Sequence, residues 1–214
     1  MADLRTEFLG IKSPNPFWLA SAPPTDKEVN VRRAFEAGWG GVVWKTLGEA
    51  GPPIVNVNGK RYESLLSDQR RVIGFNNIEL ITDRPLQINL DEIRRVKRDF
   101  PDRALVVSLM VPCEEGAWKA ILPMVEDTGC DGVELNFGCP HGMSERGMGA
   151  AVGQVPEYIE MVTRWCKQYS KLPVIVKLTP NITDIRQPAA AAKRGGADAV
   201  SLINSITSIM GVDA

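Results

Sequence analysis

One phrase occurs three times in this chain and limits what it can fold into. Glu-Ala-Gly-Trp-Gly-Gly-Val-Val (36–43), Asp-Thr-Gly-Cys-Asp-Gly-Val-Glu (127–134) and Arg-Gly-Gly-Ala-Asp-Ala-Val-Ser (194–201) each run from an amphipathic stretch, through glycine, into a short apolar segment. Glycine past a helix end suits a left-handed cap, and a short Val-rich run suits a strand. Repeated helix-to-strand connections of this kind imply βα units with parallel strands. Their spacing is too irregular for a solenoid. A (β/α)8 barrel fits best, with a doubly wound sheet second.

The strands are expected at Phe17–Ser21, Gly41–Lys45, Leu105–Met110, Gly132–Leu135, Val174–Leu178 and Ala199–Ile203, all rich in Val, Ile and Leu. They show little alternation, as strands buried on both faces do. Helices are expected at Lys27–Ala37, Leu90–Phe100, Glu114–Thr128, Pro156–Tyr169 and Ile185–Arg194. Pro156 suits a first turn, Asp184 or Thr183 can cap the last helix, and Gly38, Gly129 and Gly195 suit left-handed caps. Residues 4–16 read as a small β-hairpin plugging the barrel bottom. Residues 47–83 form a long connection, of a length that is usually functional or disordered. Six strands make an incomplete barrel with two open edges, so the chain reads as one domain, 1–214, truncated at its C-terminal side.

Net charge is −1, without a run of like charges, which argues against a large nucleic-acid surface. The apolar runs are too short to cross a bilayer, the N-terminus is no signal peptide, and the expected compartment is the cytoplasm. Cys113, Cys130, Cys139 and Cys166 lack zinc or iron–sulfur spacing, so no metal site is expected.

At the C-terminal strand ends of such a fold stand Ser21, Lys45, Thr46, Asn136 to Cys139, Lys177, Thr179, Asn181, Asn204 and Ser205. Amides offer both donor and acceptor to a heteroaromatic edge, and a lysine can stabilise charge on a reduced ring. The set suits an uncharged heterocycle better than phosphoryl transfer. Cys139, at the end of an apolar strand, could be acid, base, nucleophile or metal ligand. Nearby His141 is the only histidine.

Long ungapped phrases then carry a resemblance: Asn-Pro-Phe-x-Leu-Ala-Ser-Ala (15–22), Arg-Arg-Ala-Phe-Glu-Ala-Gly-Trp-Gly (32–40), Asn-Ile-Glu-Leu-Ile (77–81), Cys-Pro-His-Gly-Met-x-Glu-Arg-Gly-Met-Gly (139–149) and Lys-Leu-Thr-Pro-Asn (177–181). From about residue 4 to its end, the chain resembles the FMN-binding barrel of the dihydropyrimidine dehydrogenase family, in particular the catalytic subunit of its bacterial NAD-dependent members. The resemblance implies an oxidoreductase that reversibly reduces the C5–C6 bond of uracil or thymine. It implies FMN held by Ala20, Ser21, Lys45 and Thr46, with Lys177, Asn136 and Asn204 also against the ring. It implies a pyrimidine gripped by Asn77, Glu79, Asn136 and Asn204, beside Gly138 and Ser205. Cys139 would be the general acid, donating to C5 while hydride reaches C6 from flavin N5, and His141 would be a turn residue. A thiol with its ordinary pKa near 8.5 is mostly protonated at neutral pH and can donate. The glycine-rich segment Pro140–Gly153 would serve as a lid.

The resemblance also implies 4Fe-4S clusters in a C-terminal segment that this chain lacks, a partner subunit carrying FAD and NAD, and an oligomer. Gly138 stands where the family typically has serine, and Ser205 where it has threonine, which bears on the substrate. The phosphate-gripping loops of the family would follow strands seven and eight. Asn-Phe-Gly-Cys-Pro is also similar to tRNA dihydrouridine synthases, which Gly138 favours and the near-neutral charge disfavours. A class 1 dihydroorotate dehydrogenase would want asparagine where His141 stands. A barrel used only as a scaffold would be expected to lack Lys45, Cys139 or Lys177.

Overall fold

The computed structural model describes residues 2–49, 54–55, 61–140 and 147–208. Parallel strands β3 (Trp18–Leu19), β4 (Gly41–Leu47), β7 (Ala104–Leu109), β8 (Gly132–Asn136), β9 (Val174–Lys177) and β10 (Ala199–Ser201) form one sheet in the order β10-β9-β8-β7-β4-β3. Two antiparallel hairpins stand outside it: β1 (Thr6–Phe8) with β2 (Ile11–Ser13), and β5 (Tyr62–Leu66) with β6 (Val72–Asn77). The helices are α1 (Glu28–Glu36), α2 (Leu86–Asp99), α3 (Glu115–Glu126), α4 (Ala150–Gly153), α5 (Pro156–Tyr169) and α6 (Arg186–Arg194). The sheet is a curled half-barrel with its helices outside, as the sequence predicts. None of the described helices is long and apolar enough to cross a membrane.

Side chains alternate across the sheet. One face sends Val42, Trp44, Leu105, Val107, Leu109, Val133, Leu135, Val174 and Val176 into the main core. There they meet Phe35, Ile93, Trp118, Leu122, Ile159 and Val162 from the helices. On the other face, Ile11 of the first hairpin packs with Ala104, Val106 and Ile175. These lie at or near strand beginnings, so the hairpin closes the bottom. Its tight turn places Leu9 and Gly10 at positive φ (57° and 80°), the twist that a two-residue hairpin needs.

The thrice-repeated phrase is a structural joint. Gly38, Gly129 and Gly196 all have positive φ and stop a helix. The left-handed residue in the third copy is therefore Gly196 and not Gly195, whose φ is −70°. Two residues after the glycine, Asp131 and Asp198 do the same work. The Asp131 N–H donates to Leu105 O (2.8 Å), while its carboxylate takes the Leu105 N–H (2.8 Å) and the Lys97 ammonium (2.7 Å). Asp198 repeats this with Val174 and Lys167. Each aspartate thus fixes the start of its strand against the neighbouring strand.

Two of the differences from the expected element bounds have a clear cause. The α2 helix begins at Leu86, four residues before the predicted start, because its first inward residue is polar: Asn89 accepts the Trp44 indole N–H (3.1 Å, buried). The α6 N-cap is Ile185, and Asp184, one residue earlier, accepts the Arg186 N–H (3.0 Å). The predicted connection 47–83 holds the β5–β6 hairpin, which the sequence reading lacks; residues 50–53 and 56–60 lie outside the described residues.

Candidate active site

The sheet's inner face becomes polar toward the C-terminal strand ends. On β8, Gly132, Glu134 and Asn136 share that face; Ser108 lies opposite Glu134, and Lys177 opposite Asn136. Above them opens a cavity of about 430 Å³, within the size range of small-molecule sites. Its wall brings together Ser21, Lys45, Thr46, Asn77, Glu79, Asn136, Cys139, Lys177, Asn204 and Ser205. Tyr62, Ala22, Pro23, Pro24, Leu80 and Ile81 complete it.

A hydroxyl–amide chain crosses the floor. The Thr46 hydroxyl lies 3.1 Å from Ser21 Oγ and 3.0 Å from Ser108 Oγ, and accepts from Asn136 Nδ2 at 3.0 Å. The Thr46 N–H donates to Ser21 Oγ (3.0 Å). Asn136 Oδ1 accepts from the N–H groups of Gly138 and Cys139 (both 3.2 Å) and from Asn204 Nδ2 (2.8 Å). Three donors on one oxygen hold Asn136 rigidly and fold the strand end back, which carries Cys139 over the cavity.

An ion pair also lines the cavity. Lys45 Nζ meets Glu79 Oε1 at 2.8 Å, with both side chains nearly buried. The Tyr62 hydroxyl donates to the other Glu79 oxygen, and Arg61 lies 3.7 Å from the carboxylate. Burial, then the hydrogen bond to Glu79, pushes the Tyr62 phenol up, so it remains a donor. Beneath the floor, Glu134 is buried, with Oε1 unpartnered. Desolvation raises its pKa; the charge of Lys177 and hydrogen bonds with Ser108 and Ser201 oppose that shift.

Cys139 packs with Ile81, Met110 and Met148 and lines the cavity. Its carbonyl accepts the Ala150 N–H (3.0 Å), and Gly149 makes this approach possible: φ is 58°, and a Cβ there would stand 2.7 Å from that carbonyl oxygen. The other thiols lie away from the cavity. Burial pushes Cys130 up to about 12 and Cys166 well above its ordinary value, as expected of inert core thiols.

Of the residues expected to hold FMN or the pyrimidine, two do not line the cavity, nor do Thr179 and Asn181 of the strand-end set. Ala20 is exposed, its carbonyl 3.5 Å from the Thr25 hydroxyl. Gly138 is buried directly behind Asn204. His141, and residues 141–146 of the predicted lid, lie outside the described residues. Sequence reasoning missed Tyr62, Ser108 and Glu134. The last two are polar residues within apolar runs, a signal that could have found them.

A family profile described as Dihydroorotate dehydrogenase matches residues 3–214. The chain belongs to this dihydroorotate dehydrogenase family. Among its relatives, the chloroplastic dihydropyrimidine dehydrogenase (NADP(+)) of Arabidopsis thaliana is 44% identical over 99% of this chain and 50% of its own length. The NAD-dependent dihydropyrimidine dehydrogenase subunit PreA of Escherichia coli K12 is 42% identical, with the same coverage of each chain. The catalytic subunit of dihydroorotate dehydrogenase B (NAD(+)) from Pyrococcus abyssi is 35% identical over 96% of this chain and 64% of its own. The chain thus spans about half the length of the dihydropyrimidine dehydrogenase relatives it matches. A crystal structure of DHODH from Eimeria tenella in complex with ferulenol shares the fold, with TM-score 0.76 and 16% identity over 94% of this chain and 60% of that one.

Proposed function

We propose that residues 1–214 form the flavin- and pyrimidine-binding barrel portion of an FMN-dependent dihydropyrimidine dehydrogenase, which reversibly reduces the C5–C6 bond of uracil or thymine. The observation that carries this reading is that Cys139 lines one cavity together with Lys45, Lys177, Asn136 and Asn204. The donor set suits the group: hydroxyls and amides for a heterocycle's edges, and two lysines for its developing negative charge.

FMN, when bound, supplies the two-electron exchange at the pyrimidine double bond. Ser21, Thr46 and Lys45 would hold its ring, with Lys177 beside it. Asn136 and Asn204 would donate to pyrimidine carbonyls, while Asn77 and Glu79 accept from ring N–H groups. The Cys139 thiol would donate a proton to C5, and in the reverse direction its thiolate would take that proton back. Its apolar neighbours keep water from competing. The Pro140–Gly153 segment would serve as the lid. Electrons would come from NAD through a partner subunit carrying FAD and through 4Fe-4S clusters outside this chain, in an oligomeric cytoplasmic enzyme.

The test is to express the complete gene, check for bound FMN, and follow NADH and NADPH oxidation with uracil, thymine and dihydroorotate. A protein that takes up no FMN ends this reading, and turnover of dihydroorotate alone replaces the substrate. Cys139→Ala should lower turnover by about 10²–10⁴-fold; near-full activity removes the acid assignment.

A further inference from the structure

The contact between Gly138 and Asn204 carries an inference that rests on the proposed function and sharpens it. A Cβ at Gly138 would stand 2.4 Å from Asn204 Cβ and 2.9 Å from both its Cγ and its Nδ2. The nearest of these is the first side-chain atom, which moves only with its backbone. That backbone is tied down: the Asn204 N–H donates to Leu178 O at 3.1 Å. The space a side chain at 138 would take is therefore occupied by Asn204.

Asn204 uses that space to reach Asn136. The N–H groups of Gly138 and Cys139 identify the oxygen end of the Asn136 amide, since backbone N–H can only donate. Asn204 must then present its nitrogen to that oxygen, at 2.8 Å, and its own oxygen takes the Ser205 N–H at 2.7 Å. Each amide has two amino hydrogens, and one in each is committed, to Thr46 Oγ1 and to Asn136 Oδ1. The Asn136 oxygen already takes three donors. What this wall has left to offer the cavity is chiefly N–H.

We propose that Gly138 is a positioning residue that sets specificity: its missing side chain lets Asn204 close on Asn136, and the closed pair selects a ring that presents a carbonyl oxygen to this wall. A side chain at 138 would push Asn204 away and break the pair without touching Cys139 chemistry.

The test uses the full-length gene product and the variants Gly138→Ala, Asn204→Gly and the double variant. Gly138→Ala should keep its FMN and raise KM for uracil by about tenfold or more, the loss of one good hydrogen bond, with kcat changed less. The thermal shift induced by uracil should shrink in parallel. In the Asn204→Gly background, where all three of these atoms are gone, adding Gly138→Ala should change neither KM nor the shift further. If Gly138→Ala leaves KM and the shift unchanged in a wild type that responds to uracil, this inference alone is overturned. Additive effects of the two substitutions would also overturn it. A wild type that binds no FMN and shows no shift with uracil or thymine overturns the functional reading and this inference together.

Discussion

The two faces of the six-stranded sheet are built from alternate residues of the same strands, yet they obey different rules. On the outer face Val42, Trp44, Leu105, Val107, Leu109, Val133, Leu135, Val174 and Val176 are all fully buried against helices. On the inner face the apolar layer of Ile11, Ala104, Val106 and Ile175 stops partway up, and Lys45, Ser108, Glu134, Asn136 and Lys177 follow. The outer face gains its stability from area removed from water. The inner face gives up such burial for directed polar groups that partner one another until a ligand arrives. The division teaches where substitutions should act: outward ones on folding, inward ones on binding.

Trp44 gives the largest expected effect. Trp44→Ala empties a fully buried site and leaves Asn89 Oδ1 without its indole donor. The loss should be about 3–5 kcal/mol in urea unfolding. FMN uptake by the remaining folded fraction should survive, because Lys45 and Thr46 keep their own partners. Lost uptake in folded protein would break the division of labour.

The Lys45–Glu79 pair comes next. Removing Lys45 leaves the nearly buried Glu79 to the Tyr62 hydroxyl and the more distant Arg61, and removing Glu79 takes the carboxylate from Lys45, whereas replacing both removes the demand for a counter-charge. Lys45→Met should cost about 3 kcal/mol of stability and Lys45→Met/Glu79→Gln clearly less, while both abolish ligand binding. A double variant less stable than either single one would mean that the pair contributes to the fold in the way the outer face does.

How much of this was legible in the sequence follows the same division. Outward residues announce themselves as Val- and Leu-rich runs, so all six sheet strands were readable. The rim was readable because its polar residues sit in contiguous phrases, above all Asn136 to Cys139. The β5–β6 hairpin was not: every residue of β5 is exposed, so no period-two pattern marks it. Tyr62, which that strand delivers to the cavity wall and to Glu79, was missed with it. Asn89 hid the first turn of α2 for a related reason, since a buried polar residue whose partner is distant in sequence reads as exposed.

Glu134 tests the inner face through pH. Its carboxyl titrates above the ordinary 4.5, chiefly because burial penalises the charged form. The native state therefore holds this proton more tightly than the unfolded chain. The stabilisation is fully present below the unfolded value and is lost as pH rises through the raised one. Glu134→Gln keeps the shape and carries no charge. The Tm of the variant minus that of the wild type should grow as pH rises from about 4 toward neutrality. A flat difference would mean that Lys177 holds the carboxylate ionised throughout.

The smallest effects concern two adjacent glycines in the third copy of the repeated phrase. Aligning the copies on their aspartates, Asp131 and Asp198, pairs Gly196 with Gly129, and both have positive φ. Gly196 has only the flexible Lys167 side chain near it, the closest atom 3.5 Å from a Cβ. Gly196→Ala should therefore cost only the backbone strain, about 1 kcal/mol. Gly195 has ordinary helical φ, but a Cβ there would stand 2.7 Å from Glu160 O and 2.7 Å from Thr163 Cβ on α5. Gly195→Ala must push α6 from α5, an overpacking cost of about 1–3 kcal/mol. Chemical denaturation of the two variants separates the causes. If Gly195→Ala proves the milder change, the α5–α6 contact is loose and the cap is what this joint requires.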